Sequence, residues 1–94
     1  MTMEWRASHI LVKDRKQAED IYNRLKTGGN FAAMAKSFST CPSKAKGGDL
    51  GWFDSGKMVP KFEDAVKKLA PGRVSKPVAT QFGFHIIKKT GERP

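Results

Sequence analysis

Residues 47–62 read GGDLGWFDSGKMVPKF, and this stretch limits the possible folds more than any other. Glycines at 47, 48, 51 and 56 let the backbone turn often or pass close to a neighbour. Between them stand Leu50, Trp52, Phe53, Met58 and Phe62. A plain surface loop would be more polar. A plain core strand would carry fewer glycines. Two local structures satisfy the pattern. One is an apolar pocket presented by a loop and open to a small apolar guest. The other is a short buried strand at 50–53 that turns into a helix.

Ninety-four residues are expected to make one domain, 1–94, with a modest core. No apolar run approaches membrane-spanning length, and residues 1–6 carry no apolar signal segment. The expectation is a cytoplasmic, monomeric protein, or one peripheral at a membrane surface. Cys41 is the single cysteine, so no internal disulfide can form. The charge is skewed, with 18 Lys plus Arg against 9 Asp plus Glu, net +9. Weak contact with an anionic membrane surface or nucleic acid is therefore a candidate property. The basic residues are dispersed, however, and form no run of the kind that marks a nucleic-acid tail.

Alternation over 5–12 puts Trp5, Ala7, His9 and Leu11 on one face and Arg6, Ser8, Ile10 and Val12 on the other. Both sets are partly apolar, which predicts a central strand covered on both sides. Asp14 caps a helix with the stripe Ala18, Ile21, Tyr22 and Leu25, stopped by Gly28 and Gly29. Asn30 caps a second, with Phe31, Met34, Ala35 and Phe38 on its buried face. A polar connection over 40–46 leads into the glycine-rich stretch. Pro60 opens a third helix, whose stripe is Phe62, Ala65, Val66 and Leu69. Pro71 and Gly72 break it. An edge strand is predicted at 74–78, because Pro77 lacks the N–H an inner strand needs. Residues 80–83 turn the chain into a last strand at 84–88. The order is that of an α+β domain with a mostly antiparallel sheet.

Only His9 and His85 are histidines, and both fall in strands. If those strands pair, the imidazoles meet on one face. Cys41 invites a nucleophile with a histidine base, but no glycine elbow or evident orienting group surrounds it. A small buried hydrophobe with a weak S–H donor is the plainer account. Two histidines and one cysteine at wide spacing match no zinc pattern, and no cofactor is implied. The run SKAKGG at 43–48 is not in the order of a phosphate-binding loop. The aromatics do not interleave with Lys and Arg as an RNA platform requires.

Three blocks, SHILV at 8–12, GGDLG with GKM at 47–51 and 56–58, and QFGFHII at 81–87, resemble the signatures of the parvulin peptidyl-prolyl cis/trans isomerases. The resemblance runs from about residue 6 to residue 89. It implies a four-stranded, mostly antiparallel sheet surrounded by three to four helices. It implies a proline pocket of Leu50, Met58 and Phe62 with Phe82 at the rim. The polar floor it implies is His9, Cys41, Thr80 and His85, with Cys41 tuning the histidines rather than attacking. Phosphate-specific relatives carry a long basic loop after the first strand. Here Lys13-Asp14-Arg15-Lys16-Gln17 passes almost directly into a helix, so the chain is similar to the small non-phosphospecific members. The implied function is isomerisation of X–Pro bonds in unfolded or flexible polypeptides without a covalent intermediate. The alternative is a basic module that binds peptide, membrane surface or nucleic acid, with incidental isomerase activity. A Cys/His hydrolase is a further rival.

Overall fold

The computed structural model describes residues 3–94; Met1 and Thr2, the start of the stretch read for a leader, lie outside them. The chain runs β1 (Glu4–Val12), α1 (Arg15–Lys26), α2 (Phe31–Phe38), a 3-10 turn (Pro42–Lys46), β2 (Asp49–Asp54), α3 (Pro60–Lys68), β3 (Val78–Thr80) and β4 (Gly83–Arg93). The strands form one antiparallel sheet in the order β2-β1-β4-β3. β1 is central, as its two-sided apolar pattern requires.

Each face of β1 meets its own core. Ile10 and Val12, with Ile86 of β4, pack on Ala18 and Ile21 of α1 and on Phe31 and Ala35 of α2. Trp5, Ala7 and Ile87 pack on Phe53 of β2 and on Phe62 and Val66 of α3. The helices thus cover the sheet on two sides. The predicted caps form: the Asp14 carboxylate accepts from Lys16 N–H at 3.2 Å, and the Asn30 side-chain oxygen from Ala33 N–H at 2.8 Å. Pro60 starts α3.

Four local expectations are corrected. The edge strand is not 74–78 but Val78–Thr80, directly abutting the hairpin turn. Pro77 ends the ladder on its far side, leaving Val74 only a bridge to Lys88. Ser75 is tied to Ile87 through its N–H and its hydroxyl instead. β4 runs on beyond 88 to Arg93, because Gly91 and Arg93 pair with Arg6 and Glu4 across a register shift. Side chains reinforce that end: Lys89 is buried, donates to Leu69 C=O at 2.9 Å and pairs with Glu92. The polar connection at 40–46 contains the 3-10 turn, and Phe38 is exposed rather than core because α2 ends there.

Gly48 fixes the glycine-rich stretch to the sheet. Its C=O accepts from His9 N–H at 2.9 Å, and its φ is +90°. A Cβ placed there would lie 2.4 Å from His9 C=O, whereas one at Gly72 would meet nothing within 4 Å. Positive φ alone costs about 1–2 kcal/mol with a side chain, and a backbone clash adds to it. Gly48→Ala is therefore expected to lose about 3 kcal/mol or more in urea unfolding, against about 1 kcal/mol for Gly72→Ala. Equal losses would show that the close approach at Gly48 does not hold the stretch.

Candidate active site

The β1–β4 register pairs His9 with Ile87 and Leu11 with His85, which makes the two histidines diagonal neighbours on the α3 side. Their Nδ1 atoms lie 2.9 Å apart, and the rings stack at 5.1 Å with 20° between planes. Phe62 meets both edge-on, at 5.6 Å from His9 and 5.4 Å from His85. Thr80 Oγ1 lies 2.7 Å from His85 Nε2 and accepts from Phe82 N–H at 3.2 Å. Thr80, His85 and His9 thus form one hydrogen-bonded row. A hydrogen bond between two Nδ1 atoms needs one donor and one acceptor, so the two rings cannot both be protonated. His9 Nε2 at the end of the row is buried without a partner among the described residues.

Burial, and then the neighbouring His85, pushes the His9 imidazolium down to about 4 from its ordinary 6.5. Burial lowers His85 as well. At neutral pH the row is uncharged.

Above it opens an apolar groove of about 530 Å³. His9, Cys41, Leu50, Met58, Phe62, Phe82 and His85 all line it. Thr80 stands behind His85 rather than on the groove wall, and acts through its hydroxyl. Phe82 is 54% exposed and forms the outer lip. Phe62 is buried and belongs to the α3 core as well as to the groove. No hydrogen bond joins the Cys41 thiol to either imidazole among the described residues; its N–H donates to Ser39 Oγ at 3.3 Å. That same oxygen accepts from Leu11 N–H at 3.1 Å, so the buried Ser39 sets Cys41 against β1. No three His, Cys, Asp or Glu side chains among the described residues are grouped as metal ligands would be.

Leu11, Thr40, Pro42, Lys57 and Val59 also line the groove. Of these, Leu11 was signalled in the sequence by sharing the face of His9. Glu63 carried no such signal. It is buried on α3, where its carboxylate accepts from Gly56 N–H at 2.8 Å and Ser55 Oγ at 3.0 Å and pairs with Lys67 at 2.9 Å. Those bonds, Gly56 first and then Lys67, hold the carboxyl below its ordinary range. They also pin the turn that presents Lys57 and Met58 to the groove.

A PPIC-type peptidyl-prolyl isomerase, or rotamase, family model matches residues 9–91. The chain belongs to that family, and its fold is the parvulin fold. It is 59% identical over 86 residues to the foldase protein PrsA of a Geobacillus strain, covering 90% of this chain and 31% of that protein. The structure of PrsA from Bacillus anthracis superposes with a TM-score of 0.97 at 49% identity, over 99% of this chain and 43% of that one. NmPin, the parvulin of Nitrosopumilus maritimus, superposes at 0.85 with 43% identity, over 97% of this chain and 99% of that one. The chain spans about a third of the length of the curated PrsA relative.

Two outcomes follow from the charge state and the clamp. Between pH 6.5 and 4 the unfolded chain binds a proton at residue 9 that the folded chain refuses, so stability falls as the pH falls through that window. The loss from His9 is on the order of 3 kcal/mol and is complete below about pH 4. His9→Asn is expected to flatten the urea-unfolding midpoint over that range; an unchanged slope would contradict a buried neutral imidazole. Glu63→Gln is expected to raise KM for a prolyl peptide about fivefold with kcat less affected, as the loss of an orienting contact does. An unchanged KM would show that the turn holds itself.

Proposed function

We propose that this domain accelerates cis/trans rotation about X–Pro bonds in unfolded or flexible polypeptide segments, with the proline ring among Leu50, Met58 and Phe62. The observation that carries this is the apolar groove floored by an uncharged histidine pair. The planar amide is polar because of resonance, and rotation faces a barrier of roughly 18–20 kcal/mol. Twisting removes the resonance and much of the dipole. A groove without charge on its floor and away from bulk water withholds solvation from the planar form more than from the twisted one. An acceleration of about a thousandfold needs about 4 kcal/mol of such difference. His9, His85 and Thr80 keep the floor rigid and neutral. Cys41 tunes one wall, and no covalent bond forms.

The substrate is read as unphosphorylated. Support comes from the start of α1, where only Lys13 and Asp14 separate β1 from the helix. Arg15, one of the cations of that segment, lies 5.4 Å above the Phe84 ring. The proposal takes the domain as working as a monomer. For the rival basic module, six of the 18 Lys and Arg are already engaged within the domain. Arg6, Arg24, Lys67, Lys89 and Arg93 are paired with carboxylates, and Lys26 lies over the Tyr22 ring.

Met58→Ala should lower kcat/KM on a short unphosphorylated prolyl peptide about tenfold, the effect expected of one lost apolar wall. Cys41→Ala should keep at least about a third of the activity, well short of what removing a nucleophile costs. Full activity in the first would remove the pocket assignment. Abolished activity in the second would make Cys41 the nucleophile.

A further inference from the structure

Among the described residues, β3 has β4 on one side and no strand on the other. Thr80 and Gly83 close a two-residue hairpin loop and so exchange both backbone hydrogen bonds. Alternation along the strand then turns the N–H and C=O of Ala79 away from β4, to the open edge. Ala79 is exposed. A second depression of about 400 Å³ lies beside it, between Val59, Pro60 and Lys61 at the start of α3 and Ala79, Thr80 and Gln81. It continues the proline groove. Val59 lines both, and Thr80 lines one while its hydroxyl holds His85 in the floor of the other.

An open edge is a template for any extended chain, and proteins blunt it where pairing is harmful. Here Pro77, with no N–H, stops the edge just before Val78–Thr80. What remains is the donor and acceptor of one residue next to an apolar groove. That is too little to stack copies of the sheet, and enough to set the register of one flexible segment. Rotation about an X–Pro bond turns one flank against the other, so holding one flank still favours catalysis.

We propose that the substrate segment flanking the proline pairs as a short strand with Ala79, seated in the depression between β3 and the start of α3. This rests on the isomerase reading of the groove. The flanking segment contributes backbone hydrogen bonds, so the subsite accepts many side chains, as a catalyst for varied unfolded chains requires.

The test compares a four-residue prolyl peptide with two series lengthened by three residues, one before the proline and one after it. One series is expected to show about tenfold higher kcat/KM through KM, the scale of two net hydrogen bonds. N-methylation of a single flanking amide should abolish that gain. In amide exchange, the longer peptide should slow exchange of the Ala79 N–H, and the short peptide should not. Ala79→Pro, which removes an N–H that β4 does not use, should shrink the long-to-short ratio. A gain that survives methylation of every flanking amide, or an Ala79 N–H indifferent to the longer peptide, overturns the proposal. If neither peptide length is isomerised, the isomerase reading falls, and the Ala79 exchange still decides the subsite.

Discussion

The Nδ1–Nδ1 contact between His9 and His85 sets the terms for the rest of the domain. Two imidazoles at 2.9 Å share one proton or repel. Burial favours the neutral form of each. The contact therefore excludes two charged rings and needs matched tautomers, one Nδ1 donating and the other accepting. That in turn needs β1 and β4 paired in a single register, since a slip of one residue would send one ring to the α1–α2 face. Long pairing along β1 and β4, from Glu4–Arg93 to Val12–Phe84, supplies the register. Thr80 completes the row from the next strand, so the hairpin position follows from the same constraint.

The remaining elements roof this row. Gly48 lets the chain pass against His9, and β2 then brings Leu50 to the groove. Glu63 holds the following turn, and Phe62, one residue earlier on α3, wedges against both rings. Ser39 holds the opposite wall by binding Leu11 and Cys41 together. The groove is mostly apolar on its sides, Thr40 and Lys57 apart, and its floor is a row of polar groups that mostly bond one another. A site of that character suits a reaction whose barrier is loss of amide resonance, where no group needs to be transferred.

Much of this could be read from the chain. The alternation at 5–12 identified a two-sided central strand, and two strand histidines on matching faces anticipated the row. Helix stripes and caps gave α1, α2 and α3. Three signals failed for physical reasons. Pro77 signals the edge of the sheet, but a prolyl ring does not say on which side the ladder lies, and the strand forms after it, leaving Pro77 outside. Residues 89–93 are too polar to look like a strand; Lys89 is buried because the end of α3 offers it a carbonyl, which only the tertiary fold reveals. Glu63 looks like any surface acid on an amphipathic helix. Its partners are backbone and hydroxyl groups of a turn, and these leave no mark on periodicity.

Family membership and geometry meet in one claim: an uncharged His9–His85 floor beneath Met58 and Phe62 lowers the barrier to X–Pro rotation. NMR exchange spectroscopy on an unphosphorylated prolyl peptide at pH 7, with imidazole nitrogen shifts recorded in the same sample, tests it most directly. The account predicts cis/trans exchange brought from tens of seconds to well under a second, contacts from the prolyl ring to Met58 and Phe62, and nitrogen shifts of neutral rings. Exchange left at the uncatalysed rate, or catalysis by a form in which either ring is protonated, would contradict it.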